Sequence, residues 1–259
     1  MSAPASGTQP LSLSVIIITR NEALNLGDCL VSLAGIASEI VVVDSGSSDD
    51  TLAIARAAGA KVIATADWPG FGPQKNVALA AATCAWVLSL DADERLTDAL
   101  RAEIRAAVQS PSFDAYDMPR LSYFCGKPVR HCGWYPDRIV RLVRRGTARF
   151  SDALVHESLI PQGTAGRLTS PLLHYSYRSM DDVRRKIDSY SQAGAQQLHA
   201  RGKRSSQLQA LLHGGWAFLR TYLFKLGVLD GATGYRIACM NMRASYLKYA
   251  RLLEMRKTD

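Results

Sequence analysis

Several patterns that would assign the chain to a common class are missing from the sequence. Its five cysteines are scattered, and no two of them form a Cys-x-x-Cys pair. This argues against a zinc or disulfide framework and favours free thiols in a reducing compartment. Neither a Gly-x-Gly-x-x-Gly fingerprint nor a Walker phosphate loop is present. The sequence therefore indicates neither a dinucleotide-binding fold of the usual kind nor a P-loop enzyme.

Long hydrophobic runs are also missing. The strongest apolar stripe, in residues 208–229, is interrupted by Arg220 and Lys225 and falls short of the ~20 uninterrupted apolar residues that a membrane span needs. Residues 1–11 contain neither a basic n-region nor an apolar h-region, so we predict a disordered leader there rather than a signal peptide. The rest of the chain is long enough for one large domain, or for a domain with an appendage.

Acidic residues are scarce in only one part of the chain. Residues 1–176 contain 16 Lys and Arg against 17 Asp and Glu, whereas residues 177–259 contain 15 against 6. The net charge of +8 therefore comes entirely from the C-terminal segment. Such asymmetry indicates an anionic partner, either a membrane surface or a nucleic acid. The sequence contains no nucleic-acid recognition motif of the known kinds, which favours the membrane.

What the sequence does contain is an alternation of short apolar runs and helical stretches. The apolar runs cover residues 13–18, 39–43, 61–64 and 86–90. Strands that alternate with helices at this pace predict an α/β fold with a parallel sheet. The loops that follow these strands meet at one edge of the sheet, where open α/β sheets bind their ligands. These loops cover residues 19–22, 44–50, 67–75 and 91–94.

Charged residues in these loops are candidate ligand contacts. Asp91 and Asp93 follow the run 86–90 and point the same way if the strand continues, so a cation between them would relieve their repulsion. Hard oxygen ligands of this kind suit Mg²⁺ or Mn²⁺, usually together with substrate phosphates. Lys75 is a candidate phosphate contact. The structural alternatives are a turn for the two aspartates and a helix N-cap region for Asp44.

Three of these segments together resemble the family 2 glycosyltransferases, which have the GT-A fold. The segments read SVIIITRNE at 14–22, VVVDSGSSDDT at 41–51 and LSLDADE at 88–94. Others are similar to the bacterial lipopolysaccharide core β-1,4-glucosyltransferase subgroup, namely FGPQKN at 71–76, GWYPD at 133–137, LHYSY at 173–177 and WAFLRTY at 216–222. The resemblance implies a Rossmann-like, mostly parallel mixed sheet with helices on both faces and a helical C-terminal extension.

The resemblance also divides the chain. Residues 12–112 would form the nucleotide-sugar half of the GT-A domain, residues 113–176 its acceptor and catalytic half, and residues 177–259 a basic amphipathic helical extension. The residues expected to bind the nucleotide-sugar are Thr19, Asn21, Glu22, Asp44, Lys75, Asp91 and Asp93. Of these, Thr19, Glu22 and Asp44 would contact the uridine, and Lys75 would lie near the ribose or diphosphate. Asp91 and Asp93 would hold the ribose and a Mg²⁺ or Mn²⁺ ion, which acts as a Lewis acid on the departing diphosphate.

An inverting enzyme of this family needs one general base for the acceptor hydroxyl and no covalent nucleophile. The candidates are Asp137, Asp152 and Glu157. Asp137 ranks first because a basic strand follows it, as in the family, and Glu157 ranks second. A structural salt bridge to the arginines of residues 138–144 is the alternative for each.

The family also implies a third metal ligand from a histidine beyond the base. His156 fits this role better than His174 because it lies closer to Asp137 along the chain. Imidazole is a suitable ligand for Mn²⁺, whereas Mg²⁺ prefers oxygen. An ordinary structural histidine is the alternative for both.

The function implied by the resemblance is transfer of a hexose, in the first instance glucose from UDP-glucose, onto a heptose of the lipopolysaccharide inner core. The enzyme would work in the cytoplasm at the surface of the inner membrane, with the apolar stripe of residues 208–229 in the lipid interface. Packing of that stripe on the catalytic domain or on a second subunit is the alternative. Two other functions stay open: transfer to another acceptor, such as a lipid-linked saccharide or a peptide side chain, and a nucleic-acid-binding module that uses the basic tail.

Overall fold

The computed structural model describes residues 11–65, 68–151 and 157–255. Within these ranges the chain forms two compact units. The first unit extends to Arg120 and resumes over Arg138–His174, and the second contains Leu121–Asp137 and the residues from Tyr175 onward. The leader predicted over residues 1–11 lies outside the described residues except for Leu11, which is buried.

Four parallel strands form one side of the sheet in the first unit. They are β1 (Leu13–Thr19), β2 (Glu39–Asp44), β3 (Lys61–Ala64) and β4 (Trp86–Asp91), in the order β3-β2-β1-β4. Helices α1 (Ala23–Val31), α2 (Thr51–Ala57) and α3 (Phe71–Ala81) follow the first three strands. The predicted alternation of strands and helices is confirmed, and each predicted strand ends within one residue of its observed end.

The other strands make the sheet mixed. Beyond β4 the order is β8 (Asp137–Arg144), β6 (Ala115–Phe124), β12 (Leu172–Tyr177) and β5 (Glu94–Leu96). β8 runs antiparallel to β4, and β12 runs antiparallel to β5. The short strands are β7 (Lys127–Pro128), β9 (Ala148–Phe150), β10 (Leu159–Pro161) and β11 (Gly166–Arg167). The predicted α/β class with a mixed sheet is therefore confirmed.

The core of the first unit explains why β1 reads as an unbroken apolar run. All seven of its residues are buried, because helices cover both faces of the sheet. Val15 and Ile17 belong to a cluster with Leu26 of α1 and the buried side of α4 (Asp98–Gln109). Ile16 belongs to a second cluster with Ala78 of α3. Alternate residues of β1 thus pack against helices on opposite faces of the sheet. This packing fixes the sheet, and with it the edge at which the parallel strands end.

Helices dominate the second unit, as predicted for the C-terminal extension. They are α5 (Met180–Ala200), α6 (Gln207–Leu219) and α7 (Gly231–Met255), with a π-helical turn at Arg220–Phe224 and a 3-10 turn at Gly227–Asp230. Capping boxes begin α5 at Ser179 and α6 at Ser206, and they satisfy backbone N–H groups that a helix start leaves unpaired. No helix among the described residues is long and apolar enough to cross a membrane.

Very close backbone contact holds the start of α7 in place. A Cβ atom added to Gly234 would lie 1.8 Å from the carbonyl oxygen of Gly227. Only a residue without a side chain allows this approach. The glycines at these two positions therefore fix how the 3-10 turn and α7 pack within the second unit.

Candidate active site

Three of the parallel strands end in residues that the sequence predicts at the site. β1 ends at Thr19, β2 at Asp44 and β4 at Asp91. The strand register places Thr19 opposite Asp44, and Ile18 opposite Asp91. The three side chains therefore start from neighbouring positions at the carboxyl edge of the sheet, where α/β folds bind ligands.

The Asp44 carboxylate is buried and accepts four hydrogen bonds. Oδ1 accepts the backbone N–H groups of Gly46 at 3.0 Å and Ser47 at 2.8 Å. Oδ2 accepts the hydroxyls of Thr19 at 2.8 Å and Ser47 at 2.5 Å. Burial disfavours the charged form, but these hydrogen bonds together outweigh it and hold the pKa of Asp44 below its ordinary value. The N-cap of α2 is Asp50, so the N-cap alternative for Asp44 is wrong.

Hydrogen bonds join the loop after β1 to the loop after β2. The backbone N–H of Asn21 donates to Ser47 Oγ at 2.8 Å, and its side-chain Oδ1 accepts the N–H of Ser48 at 2.8 Å. The N–H of Glu22 donates to Thr51 Oγ1 at 2.8 Å. Asn21 has a φ of 56°, a left-handed conformation that asparagine adopts more readily than most residues. The predicted residues Thr19, Asn21, Glu22 and Asp44 are thus brought together in one pair of loops.

A pocket of about 330 Å³ opens beside these loops, lined by Ile18, Thr19, Arg20, Glu22, Trp68 and Phe71. The rings of Trp68 and Phe71 pack edge to face, with their centroids 4.8 Å apart. Their side chains are 39% and 45% exposed, although aromatic residues contribute most to stability when buried. The sequence predicts their loop, residues 67–75, at this edge of the sheet, but it does not identify these two residues as ligand contacts. The available signal was two aromatic residues within a turn-rich segment at the predicted sheet edge.

Lys75 and Asp91 form the charged centre of the edge. Lys75 Nζ lies 2.7 Å from Asp91 Oδ1 and 2.8 Å from Glu157 Oε1, and the lysine is 3% exposed. The other carboxylate oxygen, Asp91 Oδ2, lies 2.6 Å from Arg141 Nη2. Burial disfavours the charged form of Asp91, but the positive charges of Arg141 and Lys75 hold its pKa well below its ordinary value. Asp91 is therefore ionised and shared between two cations.

A tight turn after Asp91 replaces the strand continuation that the sequence left open. The turn brings Glu94 back, so that its Oε2 accepts the backbone N–H of Asp91 at 2.9 Å. Arg141 Nη2 also lies 2.7 Å from Glu94 Oε1. The guanidinium of Arg95 donates to the carbonyl oxygens of Ala92 and Glu94, both at 3.0 Å. Two arginines thus stabilise the turn. Arg141 pairs with its carboxylate side chains, and Arg95 donates to its backbone carbonyl groups.

Asp93 faces a different partner. Its Oδ2 lies 3.3 Å from His174 Nε2, and His174 stands opposite Glu94 in the pairing of β12 with β5. His156, the histidine that the sequence favours as a metal ligand, lies outside the described residues, as does Asp152. Among the residues that the structure describes, no group of three or more His, Cys, Asp or Glu side chains is arranged to hold a metal ion.

The two remaining base candidates occupy different places. Glu157 lies in the first unit with its carboxylate 2.8 Å from Lys75 Nζ. Asp137 is the first residue of β8 and belongs to the second unit. Arg141, one of the arginines proposed as a structural partner for the base, instead joins Asp91 to Glu94.

Comparison with known proteins adds four findings. The family model described as Glycosyl transferase family 2 matches residues 14–156. The chain is 34% identical to the lipopolysaccharide core biosynthesis glycosyltransferase LpsC of Rhizobium meliloti, over 93% of this chain and 94% of that protein. It is 29% identical to an uncharacterized glycosyltransferase of Rickettsia typhi, over 94% of this chain and 87% of that protein. The crystal structure of S. aureus TarS residues 1–349 is similar with a TM-score of 0.47 and 18% identity, over 95% of this chain and 91% of that one.

Proposed function

The chain belongs to glycosyl transferase family 2, and from this membership we propose that it transfers glucose from UDP-glucose onto a heptose of the lipopolysaccharide inner core. The similarity to LpsC, which extends over nearly the whole length of both proteins, supports a lipopolysaccharide core acceptor. The donor sugar and the heptose follow from the motif resemblance. The single structural observation that supports the proposal best is the set of ion-paired and hydrogen-bonded side chains at the carboxyl edge of β1, β2 and β4.

The pocket beside Thr19 and Glu22 suits the base of the donor nucleotide. Its volume of about 330 Å³ is large enough for a pyrimidine ring, and it has an aromatic wall next to polar groups. An exposed aromatic ring can stack on any nucleobase, because every base has a flat π-face. Such stacking contributes about 1–3 kcal/mol per base. We therefore propose that Trp68 and Phe71 form an aromatic wall against the uracil.

Lys75 is positioned to meet the diphosphate. In the structure its ammonium group lies between the carboxylates of Asp91 and Glu157. An ammonium group buried among acidic side chains can exchange one of them for an incoming phosphate oxygen without losing its pairing, because both partners are anionic. Lys75 would thus hold the donor and then stabilise the charge of the departing nucleoside diphosphate.

A divalent ion is the second ligand that we propose for this edge. Asp93 and His174 offer a carboxylate oxygen and an imidazole nitrogen 3.3 Å apart, a donor set that suits Mn²⁺ better than Mg²⁺. We propose that these two residues hold the ion, with the remaining ligands from the diphosphate and water. Asp91, the other predicted ligand, has both oxygens engaged by Lys75 and Arg141. The ion would supply Lewis-acid stabilisation of the leaving group.

The general base completes the reaction. Inversion at the anomeric carbon in one displacement needs a carboxylate that accepts the proton of the acceptor hydroxyl. We keep Asp137 as the proposed base and Glu157 as the second candidate, because Asp137 begins the basic strand β8, as the family resemblance implies. The variant Asp137→Asn should lower kcat on the order of 100-fold or more. A larger loss of kcat in Glu157→Gln than in Asp137→Asn would reverse the assignment.

The donor is tested by measuring turnover across a panel of nucleotide-sugars, with added Mn²⁺ and with EDTA. The proposal predicts preference for UDP-glucose, loss of turnover in EDTA and its recovery with Mn²⁺. Turnover that is indifferent to EDTA, and equal in Asp93→Asn and the parent, would contradict the proposed ion site. Arg184→Gln, a change in an exposed ion pair with Asp181, serves as the control for a lost charge.

The acceptor needs a separate experiment in cells. Mass spectrometry of the core saccharide from a strain without the gene should show a core that is one hexose lighter than that of the parent. An unchanged core would exclude this acceptor and leave other saccharide or peptide acceptors. We further propose that the enzyme works in the cytoplasm at the inner membrane surface, because a lipid-borne acceptor is presented there.

A further inference from the structure

Helix α6 presents its large apolar side chains to the outside of the molecule. Leu208, Leu211, Leu212, Trp216 and Leu219 are between 44% and 65% exposed. These five positions recur at helical spacing of three and four residues, so they lie on one side of the helix. We call them, together with the residues added below, the outer apolar face.

The opposite side of α6 is made of small residues. Ala210 and Gly214 are buried, and a Cβ atom added to Gly214 would lie 3.2 Å from Tyr246 Cβ and 3.3 Å from the carbonyl oxygen of Met242, both in α7. The helix therefore packs on its own unit through small residues and turns its large apolar residues away. An amphipathic helix of a protein that meets only water has the reverse arrangement.

The outer apolar face continues beyond α6. Leu223, Phe224, Leu226, Val228 and Leu229 are between 45% and 69% exposed. The rings of Trp216 and Phe224 lie 5.6 Å apart, so the two stretches join into one surface. Contiguous apolar surface of this extent marks a site of protein or membrane contact rather than ordinary exposure.

The charges around this face point to an anionic partner. Residues 207–219 contain no Asp, Glu, Lys or Arg. Exposed basic residues stand at both ends of the helix: Arg201, Lys203 and Arg204 before it, and Arg220 and Lys225 after it. An apolar stretch with basic residues at each end matches a bilayer surface, where acyl chains lie beneath anionic phosphates.

We propose that the outer apolar face inserts into the surface of a bilayer that contains anionic lipids, with α6 lying along the membrane plane. The inference rests on the proposed membrane location and names the element and the lipid chemistry responsible. A second copy of the chain is a poorer occupant. Because both ends of α6 are basic, parallel and antiparallel pairing of two copies would each bring like charges together.

The test measures binding of the full chain to vesicles of phosphatidylcholine, with and without phosphatidylglycerol, by flotation. Binding should require phosphatidylglycerol and should fall at least about tenfold in Leu212→Glu/Leu219→Glu, because two charges would enter the acyl boundary. Trp216 gives a second readout, since its emission should shift to the blue when vesicles are added and should be quenched by brominated lipid.

A matched control places two charges on exposed apolar residues elsewhere. Leu24 and Val31 in α1 are 78% and 74% exposed, and Leu24→Glu/Val31→Glu should bind vesicles like the parent. The triple variant Arg201→Gln/Lys203→Gln/Arg204→Gln should lose much of the preference for phosphatidylglycerol. Circular dichroism spectra identical to that of the parent ensure that each variant is folded.

Two results would overturn the inference. One is equal vesicle binding by the parent and the Leu212→Glu/Leu219→Glu variant. The other is a parent that binds no vesicles and forms a dimer that this variant dissolves, which would assign the face to a second copy. Turnover of nucleotide-sugars by the parent is measured separately, so a failed enzyme assay with intact vesicle binding would reject only the proposed reaction.

Discussion

The two units depart from ordinary globular structure in opposite ways. The first unit buries charge: Glu94 is fully buried, Lys75 is 3% exposed and Arg141 is 6% exposed. The second unit exposes apolar surface, with Phe224 at 69% and Leu208 at 65%. Buried ion pairs rarely add net stability, and exposed leucines add almost none. We propose that both arrangements serve binding, the first of a charged donor and the second of a lipid surface.

The largest expected effect comes from a substitution that breaks the buried charge network. Arg141→Met should lower the free energy of unfolding by about 3–5 kcal/mol, because it removes the cation that pairs with both Asp91 and the buried Glu94. The exposed pair of Arg184 and Asp181, with side chains 65% and 72% exposed, gives the comparison. Arg184→Met should cost no more than about 1 kcal/mol. Urea unfolding measures both values, and equal losses would remove the distinction between the buried and exposed pairs.

The next effect concerns the close packing of the second unit. Gly234→Ala should cost about 1–3 kcal/mol, since its new methyl group overlaps the Gly227 carbonyl and the backbone has to move. Gly215→Ala is the matched change in α6, because a Cβ there has no neighbour within 4 Å. It should stabilise by up to about 1 kcal/mol through helix propensity. Thermal unfolding reports both, and a stable Gly234→Ala variant would show that α7 is not fixed by this contact.

A third effect depends on pH. Because Arg141 and Lys75 hold the pKa of Asp91 below its ordinary value, Asp91 contributes stability that is fully present above about pH 4 and is lost as the pH falls through the folded-state pKa. The free energy of unfolding should therefore decrease as the pH falls below about 4. Asp91→Asn should flatten this dependence, even though it is less stable at neutral pH. Parallel curves for the parent and the variant would contradict the assignment.

The smallest expected effect concerns an exposed residue of the outer apolar face. Leu212→Gln should change the free energy of unfolding by no more than about 0.5 kcal/mol, because the side chain is 63% exposed and surface substitutions seldom exceed this. Leu26→Ala, at a fully buried leucine of α1, should cost about 2–5 kcal/mol. A large loss in Leu212→Gln would mean that the outer apolar face supports the fold.

The strand edge could be predicted because its signals are local. Apolar runs that end at Thr19, Asp44 and Asp91 show both the strands and the positions where they stop. The parallel order then brings those positions together without further information. The structure shows that the Asp44 carboxylate accepts hydrogen bonds from the loop that follows it. Its contact with the uridine stays a prediction.

The partners of these residues could not be predicted because they depend on pairing between distant strands. Arg141 reaches Asp91 from an antiparallel strand fifty residues away in sequence. His174 reaches Asp93 because β12 pairs with β5, whereas distance along the chain favoured His156. The exposure of the α6 stripe was equally hidden, since helical periodicity is the same for a face that meets protein and one that meets lipid.

We propose above that the carboxyl edge of the parallel strands binds a nucleoside diphosphate together with a divalent ion. The most direct measurement is calorimetric titration of UDP into the full chain, with and without Mn²⁺, for the parent and for Asp93→Asn. We expect Mn²⁺ to strengthen UDP binding to the parent by at least about tenfold, or about 1.4 kcal/mol, and we expect Asp93→Asn to lose this gain. UDP affinity that is the same with and without Mn²⁺, or the same gain in Asp93→Asn, would contradict it.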